Sequence, residues 1–282
     1  MTLQQLGNCY GARLQGPSTV QCQACAQGKI RRQISRRRPD RPRDKPFEEI
    51  WIDWSDLAED HDGYIRVMLI TDAYSGMVFP YFMTTHGTGK ENKRILCDFI
   101  DYVEKQYGFT VKIVKSDGEL FSKPVCKELF KRKIKAEKSS PNSQSQNGGA
   151  ERSGGVNMEK SRAMRIAARL PHTLWRFIIE SACYLRNRTS LERNNWKSPY
   201  ELVFDKRPNI TYLKAYSCRA YAMTAAAQLK RSRRLKLDPR AEIGYLVGYV
   251  SSNIFKIWIP HKNQVIHTRD VLFDEIPFSI IR

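Results

Sequence analysis

Lys115-Ser116-Asp117-Gly118-Glu119 and, further on, Ser140-Pro141-Asn142-Ser143-Gln144-Ser145-Gln146-Asn147-Gly148-Gly149-Ala150-Glu151-Arg152 are the segments on which the fold assignment turns. The first follows the apolar run Val111-Lys112-Ile113-Val114, and the second precedes a basic, amphipathic stretch that reaches Arg169. An acid at the end of a strand, a polar Gly/Asn/Gln loop and an acid entering a helix can bring two distant carboxylates together. A third acid, Asp53, lies upstream in Glu49-Ile50-Trp51-Ile52-Asp53-Trp54. Three carboxylates on rigid elements are the donor set that a pair of hard divalent cations needs.

The surrounding pattern supplies those elements. Residues 50–54, 64–71 and 77–82 read as three strands joined by tight turns at Asp62-Gly63 and Ser75-Gly76, an antiparallel meander. Pro80 inside the third run predicts an edge strand, because proline has no N–H for the ladder. Ile95, Phe99, Ile100, Val103 and Tyr107 then recur at helical spacing up to Gly108. A strand at 111–114, a helix marked by Val125, Leu129 and Phe130, and a short strand at 134–136 follow. The order β-β-β-α-β-α-β-α predicts an α/β fold, a mixed five-stranded sheet flanked by helices.

Beyond Gly149 the spacing is helical to Arg169, and again from Pro171 to Arg188, with a further short helix opened by Ser198-Pro199. Short strands then return at 220–222, 242–249, 254–259, 264–267 and 271–273, predicting a small β-barrel-like C-terminal module. The expected organisation is an N-terminal segment over 1–28, a linker over 29–46, the α/β core over 47–205 and the β module over 206–282.

Net charge restricts the partners. With 48 Lys and Arg against 29 Asp and Glu the chain carries +19, and no apolar run approaches the roughly 20 residues that span a bilayer. A polyanion is the expected partner: DNA first, RNA as the second candidate, and an anionic membrane surface behind both. The Pro/Arg-rich linker, including Arg36, Arg37 and Arg38, reads as an extended arm, and Arg231, Arg233 and Arg234 form a second basic cluster. Seven cysteines, an odd number, with no signal peptide before them, fit a reducing compartment, nuclear or cytoplasmic. Cys22 and Cys25 form a C-x-x-C pair: half of a tetrahedral zinc site, or a pair with no further ligands, since no histidine occurs before His61.

Taken alone, three acids in a basic chain read more simply as turn and surface residues than as a site. The ordered motifs change that reading. Trp51-Ile52-Asp53, Thr71-Asp72-Ala73-Tyr74-Ser75, Lys115-Ser116-Asp117-Gly118-Glu119, Asn147-Gly148-Gly149-Ala150-Glu151-Arg152, Leu237-Asp238-Pro239-Arg240-Ala241, Gly244-Tyr245-Leu246-Val247-Gly248-Tyr249 and Arg269-Asp270-Val271-Leu272-Phe273-Asp274-Glu275 together resemble the integrase region of Ty1/copia-type LTR retrotransposon polyproteins, over about residues 22 to 275.

The resemblance implies a ribonuclease-H-like core that joins a 3′-hydroxyl end of element DNA to target DNA, with no covalent protein intermediate. It implies Asp53, Asp117 and Glu151 as ligands of two Mg²⁺ or Mn²⁺ ions, Gln146 and Asn147 as part of an active-site loop on DNA, a homo-oligomer, and action in the nucleus. The family's zinc module has two histidines and two cysteines; with only Cys22 and Cys25 present, the resemblance implies a chain beginning inside that module. The competing readings are a DNA- or RNA-binding element remnant without activity, and a hydrolytic nuclease on the same core.

Two expectations concern the helix itself. Projected at 100° per residue, Met158, Arg162, Arg165 and Arg169 share the face of Glu151, while Val156, Ala163, Ala167 and Leu170 gather opposite, so one face is expected to pack and the other, with Arg152 at its start, to meet phosphate or simply water. Gly154 and Gly155 each cost a helix about 1 kcal/mol relative to Ala, which predicts a weakly held third ligand.

Overall fold

The computed structural model describes residues 44–138, 144–224, 227 and 239–275, with the side chains of 144–152 outside the description. The Cys22/Cys25 pair, the arm at Arg36, Arg37 and Arg38, and the cluster at Arg231, Arg233 and Arg234 lie outside the described residues.

Five strands build the first sheet: β1 (Glu49–Asp56), β2 (Arg66–Asp72), β3 (Val78–Met83), β4 (Ile113–Ser116) and β5 (Lys135–Lys138). Their order is β3-β2-β1-β4-β5. The first three pair antiparallel, as the tight turns require, and β4 and β5 join in parallel through helical connections. β3 takes the edge that Pro80 demands.

All seven residues of β2 are buried, because the strand lies between two layers of helix. On one face Met68 and Ile70, with Ile50 and Ile52 of β1, pack on Ile95, Leu96, Phe99 and Ile100 of α1 (Gly89–Tyr102) and on Val125 and Leu129 of α2 (Lys123–Lys131). Thr88 caps α1, its Oγ1 accepting from the Glu91 N–H at 3.2 Å, and the helix runs through a π turn, Val103–Tyr107, to Gly108 at φ 73°. A left-handed backbone suits glycine there. Phe130 departs from the expected stripe: it is 87% exposed, because Val125 and Leu129 already define the inward face and the next residue is rotated 100° away.

On the opposite face Val67 and Leu69 pack on Trp175, Ile179 and Cys183 of α4 (Trp175–Arg188), which a 3₁₀ turn at His172–Leu174 introduces. Beside α4 lies α3 (Gln144–Ala168). The polar segment expected as a loop is therefore helix from Gln144 onward; the Gly148-Gly149 pair disfavours this locally, but propensity is a weak prior beside propagation from a packed helix. α5 (Pro199–Phe204) starts where Ser198 Oγ accepts from Glu201 N at 3.1 Å.

The second sheet contains β6 (Arg219–Met223), β7 (Ala241–Tyr249), β8 (Phe255–Ile259), β9 (Gln264–Thr268) and β10 (Val271–Asp274), all antiparallel in the order β10-β6-β7-β8-β9. It is seated on α4: Phe177 and Ile178 pack with Val247, Ser181 Oγ donates to the Val247 carbonyl at 2.8 Å, and the Lys256 ammonium reaches Glu180 at 2.6 and 2.7 Å. One helix thus holds both sheets. Among the described residues no helix is long and apolar enough to cross a membrane.

Candidate active site

Asp53 stands on β1, and Asp117 follows directly on the neighbouring parallel strand β4. β1 and β4 pair Glu49 with Ile113, Ile50 with Val114 and Trp51 with Lys115, and Asp53 and Asp117 each follow two residues after the last of these pairs. Ser116 Oγ donates to the Ile52 carbonyl at 3.1 Å and ties the strands together immediately before this point. Asp53 is half-buried on β1, and Asp117 emerges at the surface just beyond β4.

The Asp117 carboxyl titrates above the ordinary range. Partial desolvation by the surrounding protein is the main cause, and the Glu119 carboxylate adds to it; the Glu119 N–H and the Arg66 guanidinium pull the other way. That N–H donates to Asp117 Oδ1 at 3.1 Å.

α3 crosses the same end of the sheet with a face of small residues. Ser153, Asn157 and Ser161 are buried. Ser153 Oγ lies 3.1 Å from Thr71 Oγ1, Asn157 Nδ2 donates to the Ser153 carbonyl at 2.9 Å, and Ser161 Oγ to the Asn157 carbonyl at 2.8 Å. Arg186 of α4, itself buried, donates to the Ser153 carbonyl at 3.2 Å and to Ser153 Oγ at 3.0 Å. Short side chains let the helix axis come down close to the strands.

Closest of all is Gly154. A Cβ built there would overlap Asp53 Oδ2 and come 3.4 Å from its Cγ, whereas one at Gly155 would meet nothing within 4 Å. The pair expected only to weaken the helix is two different residues: Gly154 makes room for the Asp53 carboxylate, and Gly155 faces open space. Glu151 occupies the helix one turn before Gly154; its side chain, with those of Gln146, Asn147 and Arg152, lies outside the described residues.

The basic face differs in part from its expected form. Arg162 is exposed, Arg165 is half-buried and donates to the Leu170 carbonyl at 3.3 Å, and Arg169, past the helix end, is exposed at φ 52°. Met158 packs with Val67, Leu69 and Trp175. Ala163 and Ala167, expected to pack, are exposed, and Val156 is only half-buried; Leu170 is buried as expected. Hydrogen-bonding Ser and Asn side chains occupy the interface that the apolar projection assigned to alanines.

Two buried arginines near the site carried no role in the sequence reading. Arg66 was legible as a lone charge in the apolar run Tyr64–Thr71, where a buried cation requires partners. It has them: Glu119 at 2.5 and 2.9 Å, Asp56 at 3.0 Å and the His86 carbonyl. Arg186 gave no such signal, since arginines are frequent in the helices of this chain.

No cluster of three His, Cys, Asp or Glu side chains poised for a metal occurs among the described residues, a set that excludes the Glu151 side chain. The all-oxygen donor chemistry of Asp53 and Asp117 fits a hard cation such as Mg²⁺ or Mn²⁺ rather than zinc.

This sheet, with its helices on both faces, defines an integrase-like α/β fold. A chain of the simian T-cell lymphotropic virus intasome in complex with PP2A regulatory subunit B56 gamma superposes with a TM-score of 0.50 at 16% identity, over 91% of this chain and 88% of that one. The catalytic core domain of BIV integrase gives a TM-score of 0.43 at 13% identity, over 56% of this chain and 95% of that one. Residues 218–280 match the retroviral polymerase SH3-like domain. A retrovirus-related Pol polyprotein from transposon TNT 1-94 of Nicotiana tabacum is 32% identical over 176 residues, 61% of this chain and 13% of that polyprotein. The chain thus resembles a retrotransposon and retroviral Pol region in sequence and an intasome chain in fold, and it spans about an eighth of the length of the polyprotein it matches.

Proposed function

We propose that the chain is the integrase of a Ty1/copia-type element, with a ribonuclease-H-like core at about 47–205 and an SH3-like barrel module at 206–282, and that it joins 3′-hydroxyl ends of element DNA to target DNA. The observation that carries the proposal is that the parallel β1–β4 pairing, which ends at Trp51 and Lys115, leads to Asp53 and Asp117 two residues on, beneath a helix whose Gly154 touches Asp53 one turn after Glu151.

In this reading Asp53, Asp117 and Glu151 would hold two divalent ions, which when bound would supply acidity to the attacking hydroxyl and positive charge to the leaving oxygen of an in-line displacement. The protein's own work is placement. β1 carries Asp53 within the sheet, β4 ends one residue before Asp117, and α3, anchored through Ser153 to Thr71 and Arg186, would carry Glu151 toward them. Arg162 and, at the end of the helix, Arg169 are free to meet phosphate. DNA is the partner the charge of +19 favours, RNA a weaker one, and a multimer acting in the nucleus follows from the same reading. The basic arm with Arg36, Arg37 and Arg38, and the cluster with Arg231, Arg233 and Arg234, would add non-specific phosphate contacts. Cys22 and Cys25 would serve zinc only if further ligands join them.

The test is strand transfer with Mg²⁺ or Mn²⁺, comparing the wild type with Asp53→Asn and Glu151→Gln. Joined products lost in both variants support the proposal. DNA binding without chemistry would mark a remnant, and cleavage without joining a nuclease.

A further inference from the structure

We propose that Arg66 is a positioning residue for Asp117, acting through Glu119. The proposal rests on the reading of Asp117 as a metal ligand and adds a residue that reading does not contain.

Arg66 opens β2, and its guanidinium is only 6% exposed. A cation that buried must be compensated, and the manner of compensation is specific. Nη1 and Nη2 grip the two oxygens of Glu119 at 2.5 and 2.9 Å, a forked pair that fixes both distance and plane. Nε lies 3.0 Å from Asp56 of β1, Nη1 also donates to the His86 carbonyl, and the guanidinium sits 5.5 Å from the centre of the Trp54 ring. The base of the clamp therefore belongs to β1, β2 and the segment after β3.

Its far end belongs to the turn that carries Asp117. Asp117-Gly118-Glu119 leaves β4 at the surface, where nothing in the ladder holds it beyond Ser116. Glu119 closes the turn by donating its N–H to Asp117 Oδ1 at 3.1 Å while its carboxylate is held by Arg66. The chain of contacts runs from a buried cation, through a carboxylate and a peptide N–H, to one oxygen of Asp117. This sets the rotation of the Asp117 carboxylate before any ion arrives. Lysine could not reproduce the fork, having a single nitrogen.

Mn²⁺ binding by the full-length protein without DNA, measured by calorimetry alongside thermal melting, provides the test. Glu119→Gln is expected to retain the fold and to weaken Mn²⁺ binding about 10- to 100-fold, the usual scale for partners that orient a ligand. Arg66→Lys is expected to weaken it similarly, and the double variant no more than the worse single one, because both act along one path. Unchanged Mn²⁺ affinity in Glu119→Gln, with Asp117→Asn abolishing binding, would overturn the positioning role and leave the metal site standing. If Asp117→Asn also left binding unchanged, the metal reading and this proposal would fall together. Should Arg66→Lys fail to fold, Glu119→Gln decides alone.

Discussion

Gly154 of α3 rests directly against the carboxylate of Asp53 on β1, so that even a methyl group on residue 154 would overlap Oδ2. Two adjacent glycines thus make opposite predictions. Gly154→Ala forces the Asp53 carboxylate aside from its place against α3 and should cost about 1–3 kcal/mol despite alanine's better helix propensity. Gly155→Ala meets open space and should gain about 0.5–1 kcal/mol. Urea melts of the two variants read the difference; stabilisation by both would show that α3 does not press on Asp53.

Ser153 accepts from the buried Arg186 and pairs with Thr71. Ser153→Ala should cost about 1–3 kcal/mol, since it strips a hydroxyl partner from a buried guanidinium, while Thr71→Val should cost less. Chemical denaturation of both variants checks the ranking. Equal stability of Ser153→Ala and wild type would mean the α3–α4 seam is held by other contacts.

Arg162 and Arg165 separate a phosphate contact from a structural one. Arg162 is exposed, and Arg162→Glu should leave stability within about 0.5 kcal/mol while lowering DNA affinity and reducing the salt slope by about one or more. Arg165 is half-buried and bonded to the Leu170 carbonyl, so Arg165→Glu should also lower the melting temperature. Binding measured across a salt series decides; an unchanged slope in Arg162→Glu removes this face from the DNA surface.

Lys256, buried in β8, depends on Glu180 of α4 for its counter-charge. Glu180→Ala should destabilise the protein by about 1–3 kcal/mol, less than for a fully buried pair because Glu180 is about a third exposed. Adding Lys256→Met should restore most of that loss. A double variant as unstable as the single one would show that the pair contributes little to seating the second sheet.

The parts of this fold legible in sequence are those whose signal is periodic. The meander, the edge position of Pro80, the helix ending at Gly108 and the strand leading to Asp117 are all marked by alternation, helical spacing or a turn residue. The start of α3 at Gln144 was hidden by Gly148 and Gly149, because local propensity opposes a helix that tertiary packing imposes. The packing face of α3 was hidden for a related reason: Ser153, Asn157 and Ser161 are polar, so an apolar projection passes over them. Gly154 was visible only as a cost. Its benefit depends on Asp53, about a hundred residues earlier, and no local pattern encodes that proximity.

The most direct test of the central claim is a crystal of the protein soaked in Mn²⁺ and measured at a wavelength where manganese scatters anomalously. Anomalous peaks held by Asp53 and Asp117, with Glu151 completing the set, are expected at oxygen distances of about 2.1 Å. Peaks elsewhere, or none at these carboxylates with Glu151 turned away from them, would contradict that claim.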